Sequence, residues 1–358
     1  MKTEVQKFDP SKIESFSLRV MKDTGSFVFG LLAYIGSELG IFSQLVSLGP
    51  TTLENLSKEG KYDERHLKEW LGSMVAAEYV NYDPKTEKYW LPPENAAILV
   101  DRKSPYYMGG FFKLCVSNTT VVPKLMEVMR NGGGVHQSEY PLEFYAAMEE
   151  ESKPRYQHHL VDSWIPGIPS LEAKLKGGAQ VLDIGCGGGI AMTSMAKRYP
   201  QSQYEGCDIH AYSIERARAN ARELGVADKV KFTISGGDDF GEKQYDVITT
   251  FDVIHDSIDP KGLLAGIKKA LKPGGIYLMV EMKIGDKLED NIGDWGKFLY
   301  SVSFLYCMTT SLSCGGAGIG ACMGQKKAKE LCIEAGFKKF EYVESNDPCF
   351  ALYVVTVD

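Results

Sequence analysis

The stretch Asp183-Ile184-Gly185-Cys186-Gly187-Gly188-Gly189 decides how this chain folds. It ends a short apolar run at 181–184 and leads into a helical pattern at 190–198, so it reads as a strand that turns, almost without side chains, into a helix. Glycines at such a turn let a ligand approach the backbone closely at a helix N-terminus. A dinucleotide loop of the form G-x-G-x-x-G would need a glycine where this chain has Ile190, which counts against a nicotinamide cofactor.

Outward from the loop, strands and helices alternate. Strands are expected at 203–207, 230–234, 245–251 and 276–281, with helices at 213–224 and 260–271 and a turn at Lys272-Pro273-Gly274-Gly275. This alternation predicts an α/β fold, a parallel sheet with helices on both faces. Segments 337–343 and 350–357 are expected to close it as a hairpin-like edge. Upstream, the pattern from Gly25 to Val100 is mostly helical. Thr51-Thr52-Leu53-Glu54 fits an N-capped helix start, Asp63 can cap a second helix, and Leu67, Trp70, Leu71 and Met74 give that helix a buried stripe. Segments 79–82 and 88–91 alternate like a hairpin around Asp83-Pro84-Lys85-Thr86, giving the element order of a winged helix. The expected organisation is a winged-helix and dimerisation domain at 1–100, a helical linker and lid at 101–178, and an α/β domain at 179–358 carrying a lid insertion at 285–325.

Composition limits the possible partners. The 358 residues carry a net charge of −7, unfavourable for phosphate backbones or anionic lipid. In the winged segment Lys58, Lys61, Arg65 and Lys68 are outnumbered by Glu54, Glu59, Asp63, Glu64, Glu69 and Glu78, which argues against a DNA-reading regulator, while the mostly apolar helix at 27–42 asks for a partner surface and so a dimer interface. No secretory signal or membrane-spanning run is recognised, so a cytoplasmic protein is expected. The 8 cysteines lack CxxC pairs or histidines at zinc spacing, so they are expected as free thiols, with no metal site.

The acidic residues around the loop narrow its ligand. Asp183 lies two residues before the first glycine, where it can face an amino or carboxypropyl end. Asp208 ends the next strand, where a carboxylate can accept both hydroxyls of a ribose. Gly236-Gly237-Asp238-Asp239-Phe240 follows the third strand, with a carboxylate for an exocyclic amine and a ring for stacking. Together these describe a nucleoside with a non-phosphate tail.

On these residues, 180–358 resembles the class I S-adenosylmethionine (SAM)-dependent methyltransferases. The resemblance implies a Rossmann-like, doubly wound seven-stranded sheet, SAM as cofactor and S-adenosyl-L-homocysteine as product. Phe251-Asp252-Val253-Ile254-His255-Asp256 is similar to the segment after the fourth strand in plant-type O-methyltransferases. Phe144-Tyr145-Ala146-Ala147-Met148-Glu149-Glu150-Glu151-Ser152 is similar to a helix of the same proteins whose Met and Ser lie near the cofactor. The lid insertion looks closer to a bacterial and animal winged-helix group of varied substrates. The implied cofactor-binding residues are Asp183, Gly185, Cys186, Gly187, Gly189, Asp208, Ile209, Gly237, Asp238, Asp239, Phe240 and Phe251, with Met148 and Ser152. The winged helix is implied to form a homodimer.

Methyl transfer is an in-line displacement, and a hydroxyl acceptor must also lose a proton. His255 is the expected catalytic base, with an ordinary imidazole pKa near ~6.5. No carboxylate that would orient it is recognisable in 285–325. Phe144, Tyr145, His159, Trp295, Phe298 and Cys314 are the expected walls of the acceptor pocket. The acceptor is expected to be a small molecule presenting a hydroxyl, thiol or amine; a SAM-dependent enzyme that does not methylate is the alternative.

Overall fold

Gly36 sets the helix packing of the N-terminal part. In the computed structural model, which describes residues 8–236, 239–345 and 347–358, a Cβ at Gly36 would lie 2.3 Å from the Trp70 ring. Helix Pro10–Glu38 can therefore meet Glu64–Ala76 closely enough for the Trp70 indole N–H to donate to the Leu32 carbonyl at 2.8 Å. Helix Leu53–Gly60 is capped by Thr52, whose Oγ1 accepts from the Asn55 amide at 3.3 Å, and Asp63 accepts from the His66 amide at 2.9 Å. Strands β1 (Thr51–Thr52), β2 (Asn81–Asp83) and β3 (Lys88–Trp90) form a small antiparallel sheet in the order β1-β3-β2. The first helix begins well before Gly25, where the sequence pattern placed the helical region, because Asp9 caps it and Pro10 opens it.

Contacts divide the chain into units 1–116 and 117–358. The second holds strands β4 (Gln180–Ile184), β5 (Gln203–Asp208), β6 (Val230–Ile234), β7 (Tyr245–Phe251), β8 (Leu271–Met282), β9 (Lys339–Val343) and β10 (Phe350–Thr356). They form one sheet in the order β6-β5-β4-β7-β8-β10-β9, parallel except where β10 runs antiparallel to both neighbours.

Alternate residues of these strands enter two separate cores. Val181, Val247, Ile276, Leu278, Val280, Leu352 and Val354 pack with Leu171, Met192, Met195 and Ile214. Leu182, Ile248, Tyr277, Met279, Ala351, Tyr353 and Val355 pack with Leu263, Leu264, Ile267, Ala328 and Leu331. Each fully buried Leu or Ile contributes about 1.5–3 kcal/mol. This is the doubly wound class I methyltransferase sheet.

The expected hairpin-like edge is present. β10 pairs antiparallel with β9 and docks on β8, so this hairpin closes one side of the sheet with β9 as its edge strand, and β6 is the edge on the other side. β8 also starts earlier than expected, at Leu271, where helix Pro260–Ala270 ends. Among the described residues no single helix is long and apolar enough to cross a membrane; only the pair Pro10–Glu38 and Ile41–Leu48, bent by 63°, reaches that apolar length together.

Candidate active site

The glycine loop sits between the ends of β4 and β5. Gly185 has φ +69, and a Cβ there would meet Val253 at 2.6 Å; Gly189, also at φ +69, is covered by Phe232 at 2.5 Å. A side chain at either position would be strained and blocked. Asp208 fixes the loop from β5. Its Oδ2 accepts from the Gly187 amide at 2.9 Å and its Oδ1 from the His210 amide at 2.8 Å. Each carboxylate oxygen keeps a free lone pair.

Asp183 is 1% exposed and accepts from Thr249 Oγ1 at 2.7 Å. Burial pushes its pKa up to about 8, against the smaller lowering by that hydrogen bond. Such a carboxyl accepts a cationic neighbour readily. Cys186 is buried under the loop, where its burial raises the thiol well above its ordinary range.

Glu149 braces the far side of the loop, which the sequence reading did not single out. It receives two hydrogen bonds from Arg216, at 2.7 and 3.1 Å, and one from Asn220 at 3.0 Å; Asn220 also donates to the Gly188 carbonyl at 2.9 Å. We expect Glu149→Ala to cost about 1–2 kcal/mol, because it leaves Arg216 and Asn220 without their carboxylate at a partly wet site. Thermal unfolding, together with faster amide exchange at 187–189, checks this. Met148 is exposed on the same helix, Ser152 Oγ donates to the Glu149 carbonyl at 3.2 Å, and the Tyr145 ring lies 4.1 Å from the His210 ring.

A second group gathers at the ends of β7 and β8. His255 is 2% exposed, and its Nδ1 hydrogen-bonds Glu281 at the end of β8. Glu281 is itself 3% exposed and also accepts from the Ile254 amide at 2.9 Å. The missing carboxylate for His255 is thus present, not in 285–325 but on the neighbouring strand. His255 Nε2 stands 3.1 Å from Asp256 Oδ1, and Cys307 approaches the same nitrogen. Burial lowers the His255 pKa, but Asp256 and Glu281 outweigh it and raise the pKa well above the ordinary imidazole value. The expectation of an ordinary imidazole is corrected accordingly.

Asp252 holds φ +58 between this group and Arg155, whose Nη1 lies 3.8 Å away; burial pushes the Asp252 carboxyl up to about 7. Arg155 pairs with Glu151 and lies over the Phe350 ring at 3.8 Å. It opens a segment, Arg155–Trp164, in which hydrogen bonding widens to i→i+5, a feature frequent at functional sites. His159 is half-buried in that segment.

Other expected site residues are placed less centrally. Phe251 is buried against Tyr156. Phe144 is 1% exposed in an aromatic cluster with Tyr140 and Tyr306, so it acts as packing under the site. Ile209 is exposed and covers Gly236. Asp239 faces solvent near Lys269, while Phe240 packs partly into the core. Gly237 and Asp238 lie outside the described residues. Trp295, which stacks with Phe298, donates to the Lys283 carbonyl at 2.8 Å and lines a separate cleft of about 450 Å³ with Tyr342 and Tyr353. That cleft does not contain His255. Cys314 is exposed.

The sheet order, the strand-to-helix glycine loop and the paired carboxylates define a class I methyltransferase fold. Residues 175–336 match the methyltransferase domain family and residues 28–101 the Rv2258c-like winged HTH domain, so the chain combines a methyltransferase domain with a winged helix-turn-helix domain. Among curated relatives, it is 35% identical over 129 residues to the ubiquinone biosynthesis O-methyltransferase of Pectobacterium atrosepticum, covering 36% of this chain and 52% of the relative. The corresponding enzyme of Erwinia tasmaniensis is 38% identical over 99 residues, covering 27% of this chain and 40% of the relative. The chain thus spans about half or less of the length of these relatives. Similar solved structures extend over the whole chain. Mitomycin 7-O-methyltransferase MmcR gives a TM-score of 0.73 at 16% identity, covering 97% of this chain and 100% of that one. Human N-acetylserotonin methyltransferase in complex with SAM gives 0.66 at 18% identity, covering 99% of each chain.

Proposed function

We propose that this protein is a SAM-dependent methyltransferase acting on a small molecule with a hydroxyl, thiol or amine nucleophile. The observation that carries this reading is Asp208, which spends one lone pair of each oxygen on a backbone amide and keeps the others for a ribose. The loop it holds leaves backbone exposed at the N-terminus of helix Ile190–Arg198. Asp183, buried and short of a cation, suits the ammonium end of the cofactor, and Met148 and Tyr145 flank the same side. SAM supplies an electrophilic methyl group on a sulfonium. The chain's own residues orient the acceptor, exclude water and, at His255 Nε2, take up the acceptor's proton.

Proton linkage provides a test of the cofactor site. Near neutral pH the Asp183 carboxyl is protonated in the free protein, since its pKa is pushed up to about 8. A cationic ligand beside it favours the carboxylate, so SAM binding releases protons. Titration calorimetry in buffers of different ionisation enthalpy is expected to show this release near pH 7 and its loss in Asp183→Asn. Binding with no buffer dependence would remove Asp183 from the site.

The N-terminal unit supports a homodimer rather than a nucleic-acid reader. Helix Pro10–Glu38 exposes Phe16, Leu18, Met21, Phe27 and Val28, an apolar face suited to a second copy of the chain. A cytoplasmic location fits this reading.

A further inference from the structure

We infer that His255 Nε2, Asp256 Oδ1 and Cys307 Sγ form a binding site for a thiophilic divalent cation of the Zn²⁺ class. The three atoms lie within 4.8 Å of one another, although Cys307 comes from the distant segment Ser303–Cys307. Tetrahedral zinc with bonds of ~2.0–2.3 Å places its ligand atoms roughly 3–4 Å apart, so small side-chain movements close this set. The His255–Asp256 separation is already 3.1 Å.

The hydrogen bonds favour a cation at this position. Glu281 occupies Nδ1, which orients the ring and turns Nε2 towards Asp256 and Cys307. Metal-binding histidines are commonly held by such a carboxylate. Asp256 Oδ1 is a buried oxygen that faces His255 Nε2 at 3.1 Å as an ion pair. A divalent cation bound to both atoms takes the place of the proton that the imidazolium holds between them. A nitrogen, oxygen and sulfur set selects Zn²⁺ or Cd²⁺ over Mg²⁺, and three protein ligands leave a fourth position open. Asp252 and Glu281 also lie beside His255, but on the Nδ1 side that Glu281 already fills.

The inference does not depend on methyl transfer. A cation on Nε2 would occupy the nitrogen assigned to the acceptor's proton, so the base role of His255 belongs to the cation-free protein. Chelator-treated full-length protein, titrated with Zn²⁺ against a chromogenic chelator, is expected to bind one equivalent and to ignore Mg²⁺. Cd²⁺ is expected to give a thiolate charge-transfer band that Cys314→Ser keeps and Cys307→Ser abolishes. Glu281→Gln is expected to weaken Zn²⁺ about 10–100-fold while keeping the Cd²⁺ band, as for a residue supporting a ligand. If Cys307→Ser does not fold, a loss of at least tenfold in Zn²⁺ affinity in Asp256→Asn reads the same site. Absence of stoichiometric binding, or unchanged binding in Cys307→Ser or Asp256→Asn, overturns the proposal.

Discussion

Asp208→Ala raises the SAM dissociation constant by about 10²-fold or more. The carboxylate offers two charge-assisted hydrogen bonds to the ribose, each contributing about 1.5–3 kcal/mol. The substitution also frees the Gly187 and His210 amides, which Asp208 holds at 2.9 and 2.8 Å, so the loop loses its anchor together with its ligand contact. Asp208→Asn separates the two effects. It retains one acceptor oxygen, so it is expected to preserve most of the thermal stability and to weaken SAM less than alanine does. Calorimetry and thermal unfolding on the same preparations read both quantities. Unaltered SAM affinity in Asp208→Ala would refute the ribose assignment.

His255→Ala lowers turnover of a hydroxyl acceptor by about 10²-fold or more, the usual contribution of a positioned base. The buried carboxylates give this base a distinctive pH profile. Asp256 and Glu281 raise its pKa well above the ordinary value, so the imidazolium dominates at neutral pH. Only the deprotonated ring accepts a proton. Turnover in the cation-free enzyme is therefore expected to climb as pH rises from neutral into the alkaline range. Removing the Glu281 carboxylate in Glu281→Gln shifts that limb to lower pH, because one of the two interactions that raise the pKa is gone. A flat profile together with wild-type turnover in His255→Ala would exclude the base role and favour a thiol or amine acceptor.

The parts of the fold and site legible in the sequence are those set by near neighbours. Asp183, the glycines and Ile190 occupy one strand-turn-helix, and Asp208 terminates the next strand, so spacing alone places them around one loop. Thr52 and Asp63 cap their helices for the same local reason. The position of β10 was less evident, yet its run Phe350–Val355 is buried throughout whereas β9 alternates with exposed lysine and glutamate. A strand apolar on both faces belongs inside a sheet, which is where β10 lies, between β8 and β9.

Glu281, Glu149 and Cys307 were hidden because their partners come from other elements. Glu281 ends a strand that becomes adjacent to the His255 segment only when β7 and β8 pair. Glu149 looked like one of three consecutive glutamates on a helix until Arg216 and Asn220 packed against it. Trp295 and Phe298 have the composition of pocket walls; they stack on each other, and Trp295 lines a cleft with Lys283 and Tyr353 just past the carboxyl end of β8.

The most direct test of the central claim is incubation of the full-length, chelator-treated protein with methyl-labelled SAM and a panel of phenols, thiols and amines, with SAH and labelled product quantified together. The account predicts one SAH formed for each labelled methyl in an identified acceptor, with turnover lost in Asp208→Ala. Tight SAM binding without any acceptor-dependent SAH across hydroxyl, thiol and amine classes would contradict it.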